Sequence, residues 1–189
     1  PPEFWDEKLS NQIISKIISP TLNSMNKNQT PFQGILYAGI MITESGPKVI
    51  EFNCRFGDPE CELIMPMFQG NLSEVFLDIA NKKFDDKKVS WKNKKGVCVV
   101  VCSGGYPNSY KKGLEISGID KIKNNLIFHS GTKKIENKII TDGGRVLVLS
   151  NLDENIMKSR SNIYKEIDKI KFKGSFYRKD IGLRAENNE

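Results

Sequence analysis

Residues 49–55 read Val-Ile-Glu-Phe-Asn-Cys-Arg, and from Ile50 onward apolar and polar side chains alternate. A strand sends successive side chains to opposite faces, so this pattern predicts a β-strand with Ile50, Phe52 and Cys54 packing on one face. The other face then carries Glu51, Asn53 and Arg55, a carboxylate, an amide and a guanidinium at steps of roughly 6.6 Å. Hard cations such as Mg²⁺ take oxygen ligands, often few from protein and the rest from substrate phosphates, and Glu51 with the Asn53 carbonyl fits that role. Arg55 beside them can hold a phosphate or carboxylate through two parallel N–H bonds. An exposed strand face with an Arg–Glu ion pair explains the same residues, so the pattern alone leaves both readings open.

The neighbouring segments give this strand a setting. Leu9, Ile13, Ile14, Ile17, Ile18 and Leu22 recur at helical spacing, predicting an amphipathic helix over 6–25 that Pro20 and the polar stretch after it bring to an end. Gly34–Ile42 and Lys48–Cys54, separated by Glu44-Ser45-Gly46-Pro47, read as a hairpin. Asp58-Pro59 suits a helix start, with Asp58 as N-cap and Pro59 first in the helix. A second helix follows Asn71, whose spacing to Glu74 resembles a capping box. Residues 81–95 are polar and Lys-rich. Beyond them the texture changes to short strands over 96–102, 125–129, 133–136, 139–141 and 145–149, with Asp142-Gly143-Gly144 as a further hairpin turn. A last helix is predicted over 153–170, with Ile156, Ile163, Ile167 and Ile170 inward.

Charge divides the chain at the same place. Residues 1–91 carry 9 Lys/Arg against 12 Asp/Glu, whereas residues 92–189 carry 20 against 11, so a net +6 hides an acidic half and a basic half. The expected boundary therefore lies near Trp91, between residues 1–91 and 92–189. A basic module raises the question of nucleic acid, but only 5 of the 29 basic residues are Arg, and the lysines are scattered rather than interleaved with aromatics. No nucleic-acid partner is expected. No run approaches the roughly 20 apolar residues of a membrane helix, and no membrane partner is expected either. Cys54, Cys61, Cys98 and Cys102 form no C-x-x-C pair and His129 is the only histidine, which disfavours a zinc site and a Ser-His-Asp scheme. Buried free thiols in a reducing cytoplasm are the expectation.

Gly34-Ile-Leu-Tyr-Ala-Gly-Ile-Met-Ile42 followed by Val49-Ile-Glu-Phe-Asn-Cys-Arg-Phe-Gly-Asp-Pro-Glu60 closely resembles the phosphoribosylamine–glycine ligase family, ATP-grasp enzymes of purine synthesis. The second half carries further motifs of that family: Ser103-Gly-Gly-Tyr-Pro-Asn-Ser-Tyr110, Phe128-His-Ser-Gly-Thr132, Thr141-Asp-Gly-Gly-Arg-Val-Leu147 and Phe176-Tyr-Arg-Lys-Asp-Ile-Gly182. Their order and spacing span nearly the whole chain.

The resemblance implies an α+β chain: the carboxy-terminal part of an ATP-grasp domain, an antiparallel sheet with helices, followed by a small mixed α/β carboxy-terminal domain. It implies a ligase that uses ATP to phosphorylate the glycine carboxylate and lets the amine of 5-phosphoribosylamine attack the acyl phosphate. Glu51 and Asn53 would bind Mg²⁺ or Mn²⁺ bridging the nucleotide phosphates, and Arg55 would face the carboxylate being activated. Asp58 and Glu60 would receive the glycine ammonium or the phosphoribosylamine; helix capping and a first-turn acid are their local alternatives. Arg145, Arg178 and Asp180 would close over substrate, or form a structural ion pair; Arg178 is the binding candidate. Gly104-Gly105 and Gly143-Gly144 present backbone N–H groups to a phosphate or simply make tight turns.

Two departures accompany this reading. The strand before the Glu51–Asn53 strand lacks the additional acid that many ATP-grasp enzymes carry there, and the lid and phosphate-binding lysines are expected on an amino-terminal portion preceding Pro1. A start at Pro rather than Met suits a fragment, expected to be inactive alone and cytoplasmic. Another ATP-grasp carboxylase or ligase, or a non-catalytic basic interaction module, are the alternatives.

Overall fold

The computed structural model describes residues 5–183. These fall into two compact units: residues up to Gly57 with Gln69–Ser90, and Asp58–Phe68 with the chain from Trp91 onward. The second unit thus also takes in residues 58–68, which the charge division assigns to the first half.

In the first unit, α1 (Glu7–Ile13) starts at Asp6, whose carboxylate accepts from the Leu9 N–H at 2.6 Å. A π-helical turn over Ile14–Ile18 follows, and α2 (Ser19–Lys27) continues the same helix. The helix expected over 6–25 forms as one continuous run over Glu7–Lys27, and Pro20 lies within it. Proline removes one helical donor, and the chain accommodates this in the wider turn, where the Ser19 N–H reaches Ile14 O and the Thr21 hydroxyl donates to Ile17 O at 2.7 Å. The hairpin forms as its spacing predicts, from β1 (Tyr37–Thr43) and antiparallel β2 (Gly46–Asn53). Its register steps from Gly39↔Glu51 to Ile40↔Val49, which leaves Ile50 as an unpaired bulge residue.

The second unit opens with α3 (Cys61–Met67), and the chain passes between units at two-residue strands β3 (Phe68–Gln69) and β4 (Ser90–Trp91). Between these strands, in the first unit, α4 (Leu72–Ala80) is capped by the Asn71 side chain, which accepts from the Glu74 N–H at 3.2 Å. The Glu74 carboxylate does not return the bond to the cap; it pairs with Lys88 at 2.7 Å.

Six further elements build the core of the second unit. A three-stranded antiparallel sheet has β9 (Arg145–Asp153) between β5 (Lys95–Cys102) and β6 (Leu126–His129), while β7 (Thr132–Ile135) and β8 (Lys138–Thr141) form a separate hairpin. The turn at Asp142-Gly143-Gly144 therefore does not close a hairpin between β8 and β9. Each pairs with other strands, and the turn only carries the chain from one sheet to the next.

One face of the sheet packs α5 (Ile156–Glu166), with Val97, Val99, Leu147 and Leu149 buried against Ile163 and Ile167. At roughly 25 cal/mol per Å² of apolar surface removed from water, such a layer is the main stabilising term of the unit. The other face packs α3: a Cβ on Gly96 would come within 2.6 Å of both Leu63 and Leu152, so only glycine allows helix and strand this close. Asn155 caps α5, accepting from the Lys158 N–H at 2.7 Å. Among the described residues no helix is long and apolar enough to cross a membrane.

Candidate functional site

In the first unit, β2 brings Glu51 and Asn53 together as the alternation predicts. The Asn53 Nδ2 donates to Glu51 Oε1 at 3.0 Å; Glu51 is exposed and Asn53 half-buried. Glu51 Oε2 and Asn53 Oδ1 remain as oxygen acceptors on neighbouring side chains, the donor type that Mg²⁺ or Mn²⁺ prefers. Gly39 pairs across from Glu51, and a Cβ there would sit 3.2 Å from Glu51 Cγ, so the glycine leaves the carboxylate stem room to lie across β1. No group of three or more His, Cys, Asp or Glu side chains is placed to hold a metal among the described residues. Glu51 and Asn53 therefore fit part of a hard cation's shell, whose remaining ligands would be phosphate or water oxygens.

Arg55 is positioned differently from the expectation. The strand ends at Asn53, so the alternation that would carry Arg55 onto the face of Glu51 stops two residues short. A bend at 54–55 redirects the chain, and the guanidinium donates from Nη1 to Phe56 O at 2.8 Å. Arg55 lines a cleft of about 580 Å³ with Cys54, Phe56, Phe76, Ile79 and Gln33. The Gln33 amide donates to Ile79 O and Ala80 O at 2.6 and 2.8 Å, closing off the carboxyl end of α4. The expected packing face is also different. Ile50 is 64% exposed, and Phe52 and Cys54 are exposed as well, because no described element of this unit covers that side of the hairpin.

In the second unit, Asp58 is not a helix cap. Helix α3 begins at Cys61 with Glu60 at the N-cap position and no side-chain cap bond. The Asp58 carboxylate instead faces Arg145, which lies 87 residues away in sequence: Arg145 Nη2 is 3.3 Å from Asp58 Oδ2, and Nη1 donates to Asp58 O at 3.0 Å. One guanidinium thus grips both the main chain and the side chain of the turn, a stronger tie than a local cap. Asp58 Oδ1 is buried and has no partner among the described residues. The Glu60 carbonyl accepts from the Leu63 and Ile64 N–H groups at 3.1 and 2.9 Å. Arg178 forms a two-point pair with Asp180, Nε to Oδ1 at 3.0 Å and Nη2 to Oδ2 at 2.6 Å, on the exposed surface.

The glycine pairs serve close backbone packing. Ser103 donates from Oγ to Gly143 O at 2.9 Å and from N–H to Gly144 O at 2.8 Å, and a Cβ on Gly144 would run into the Tyr106 ring. His129 meets Thr132 through Nδ1 at 2.9 Å and stays at the surface.

The four thiols are free but not alike. Burial first, then the nearby Glu62, Glu60 and Asp58 carboxylates, pushes the Cys98 thiol up to about 12. Burial, then Glu62 and Asp58, raises Cys61. Burial also raises Cys102, with Arg145 opposing it. Cys54 is exposed, against the expectation of four buried thiols. Since the thiolate is the nucleophile, a disulfide reagent at pH 8 is expected to label exposed Cys54 faster than half-buried Cys61 and Cys98, and buried Cys102 only after denaturation. Equal labelling of Cys54 and Cys98 in the folded protein would contradict this burial pattern.

Sequence reasoning missed one buried acid, Glu166. Its carboxylate collects the N–H groups of Lys123 and Asn124, the side-chain amides of Asn124 and Asn125, and the Lys169 ammonium at 2.8 Å. Lys169 above all, then the Asn124, Asn125 and Lys123 donors, holds its carboxyl down at about 2 against the opposing effect of desolvation. The available signal was its place three residues after Ile163 on the inward stripe of α5, where a charge is out of pattern.

Two family profiles match separate stretches of the chain. The profile described as "Phosphoribosylglycinamide synthetase, C domain" matches residues 96–184, and "Phosphoribosylglycinamide synthetase, ATP-grasp (A) domain" matches residues 1–61. The phosphoribosylamine–glycine ligase of Caldanaerobacter subterraneus subsp. tengcongensis is 43% identical over 181 residues, covering 96% of this chain and 43% of that protein. The trifunctional purine biosynthetic protein adenosine-3 of Gallus gallus is 45% identical over 177 residues, covering 92% of this chain and 18% of that protein. A crystal structure of phosphoribosylamine–glycine ligase from Thermotoga maritima superposes with a TM-score of 0.79 at 29% identity, over 93% of this chain and 44% of that one. The chain spans less than half the length of each of these relatives.

Proposed function

The chain belongs to the phosphoribosylglycinamide synthetase family, and from that premise we propose that it is the carboxy-terminal portion of an ATP-dependent phosphoribosylamine–glycine ligase. The reaction joins glycine to 5-phosphoribosylamine. The glycine carboxylate takes the terminal phosphoryl group of ATP, ADP leaves, and the amine displaces phosphate from the glycyl phosphate to give glycinamide ribonucleotide.

The observation that carries the reading is the Glu51–Asn53 pair, two oxygen donors held side by side on an exposed strand. Phosphoryl transfer depends chiefly on positioning and charge neutralisation. Glu51 and Asn53 would hold Mg²⁺ or Mn²⁺, which neutralises phosphate charge when bound. Arg55, exposed in its cleft, offers its remaining N–H groups to the carboxylate or the transferring phosphoryl group.

Asp58 and Glu60 serve the amine substrates in this reading. The buried Oδ1 of Asp58 supports it, since a carboxylate oxygen without a partner is an acceptor for an ammonium. Arg178 would bind an anionic group of the substrate through Nη1, with Asp180 steadying the guanidinium through the other nitrogens. The amino-terminal portion of the ligase, which supplies most of the nucleotide site, is the proposed partner of the exposed apolar side of the hairpin around Ile50 and Phe52.

The test measures ADP release. Release that requires both glycine and 5-phosphoribosylamine is expected from the full-length ligase, and none from the 189-residue chain alone. Release driven by bicarbonate in place of glycine, or turnover by the isolated chain, would refute the proposal.

A further inference from the structure

From Tyr177 to Asp180 the second unit follows neither helix nor strand, yet its main chain is tied down almost residue by residue. Arg160 and Tyr164, one turn apart on the same face of α5, make most of these ties. Arg160 donates from Nε to Ile181 O at 2.9 Å and from Nη2 to Lys179 O at 2.7 Å. The Tyr164 hydroxyl donates to Arg178 O at 2.6 Å, and the Ile181 main chain bonds to the same side chain. The carbonyls of residues 178, 179 and 181 are thereby fixed by two side chains of one helix.

The clamp is braced in turn. The Arg160 guanidinium lies over the Tyr164 ring, 4.5 Å from its centroid. The Tyr177 ring sits beside Tyr164 with 6.0 Å between centroids, and its hydroxyl donates to Asp168 at 2.6 Å. Just before the segment, Cys102 of β5 and Phe176 exchange both main-chain bonds, at 2.8 and 3.1 Å. Just after it, Gly182 takes a φ of +81°, and a Cβ there would stand 3.5 Å from the Arg160 stem.

The side chain that this anchoring presents is that of Arg178, 70% exposed. Asp180 takes its Nε and Nη2, which sets the plane of the guanidinium and leaves Nη1 without a partner among the described residues. Packing does not call for such an arrangement. Arg178, Lys179 and Asp180 are all exposed, so water would satisfy their main-chain groups without the entropy cost of ordering the segment. A fixed main chain and a fixed guanidinium plane do, however, let an exposed arginine meet an anion with little further ordering.

We infer that Arg160 and Tyr164 are positioning residues, which hold the main chain of residues 178–181 so that Arg178 Nη1 meets the 5-phosphate of phosphoribosylamine. Neither touches the substrate; each acts through Arg178. The inference rests on the ligase reading and deepens it, naming the phosphate as the anionic group that Arg178 takes and α5 as the source of its order. A phosphomonoester, largely a dianion at neutral pH, suits the forked donors of an arginine. Lys179, exposed and with no hydrogen-bond or ion-pair partner among the described residues, adds positive charge to the same segment.

Steady-state kinetics on the full-length ligase test it through a double-mutant cycle. Arg178→Ala is expected to raise KM for 5-phosphoribosylamine by about tenfold or more, the effect of losing a charge-assisted bond, while KM for ATP and for glycine stays within about twofold. Tyr164→Phe keeps the ring under Arg160 and removes only the hydroxyl, and should raise the same KM about three- to tenfold. Arg160→Met should raise it as well, and Arg160→Lys should recover part of that loss through one carbonyl contact. In the Arg178→Ala background Tyr164→Phe should change KM by no more than about twofold, because its influence runs through Arg178. A plain tether of the segment would show a lowered Tm in Tyr164→Phe with KM unchanged, and that result overturns the inference, as does full additivity of Tyr164→Phe and Arg178→Ala. An unchanged KM in Arg178→Ala would remove the assignment of Arg178 and the inference with it. ADP release that does not require 5-phosphoribosylamine would refute the ligase reading and this inference together.

Discussion

Glu51→Ala in the full-length ligase is expected to lower kcat by about 10²–10³, the usual loss when one preorganised charge-stabilising group is removed from a transition state. The prediction is sharp because Glu51 has little structural work. It is exposed on β2, and its recorded bond is the 3.0 Å contact with Asn53. Its removal should therefore change stability by no more than about 0.5 kcal/mol, as for other surface substitutions. Glu62→Ala is the matched control. That carboxylate belongs to α3, with a buried Oε2 and the Cys98 thiol nearby, and its loss should register in stability while turnover is largely kept. Asn53→Ala should behave like Glu51→Ala, and excess Mg²⁺ should rescue both in part if each supplies one cation ligand. Steady-state kinetics with a denaturation curve for each variant checks the claim. Equal, mild losses of turnover in Glu51→Ala and Glu62→Ala would remove the metal assignment.

Glu166→Ala should destabilise the second unit by about 3–5 kcal/mol, the range seen when one partner of a buried charged network is deleted. Glu166 is 4% exposed. Its two oxygens satisfy donors from three consecutive residues, Lys123, Asn124 and Asn125, besides Lys169. Without it these half-buried donors lose their shared acceptor, and the turn into β6 loses its anchor.

The same carboxylate sets a pH dependence. Its folded value of about 2 lies below the ordinary 4.5, so the folded state binds the proton more weakly than the unfolded state. Its contribution is fully present above about 4.5 and is lost as pH falls from there toward 2. Urea denaturation at pH 7, 5 and 3.5 should show the wild-type midpoint falling faster than that of Glu166→Gln. Parallel curves would mean that Glu166 carries no such linkage.

The cap at Asn71, the hairpin of β1 and β2, and the inward stripe of Ile163 and Ile167 are all legible in the sequence, because each depends on residues within one helical turn or one strand period. The failures share a different cause. Asp58 has the local signature of an N-cap, yet its carboxylate goes to Arg145, a stronger partner that only the folded sheet brings near. Asp142-Gly143-Gly144 has hairpin chemistry, but β9 already has β5 and β6 on its two edges, so no edge is left for β8. Ile50 and Phe52 read as a packing face and are exposed, because a face is defined by what covers it.

The alternation at 49–55 by itself determined that Glu51 and Asn53 stand side by side, since i and i+2 on a strand are neighbours whatever the rest of the chain does. Where that strand stops, and so where Arg55 points, was decided by the bend at 54–55 and the Phe56 carbonyl. Only the tertiary structure joined Asp58 to Arg145 across 87 residues, drew Lys123, Asn124 and Asn125 onto Glu166, and set Arg160 and Tyr164 on the carbonyls of residues 178, 179 and 181. A local pattern fixes which side chains share a face. Which distant group meets that face depends on chain closure around a common core, and no short-range spacing encodes it.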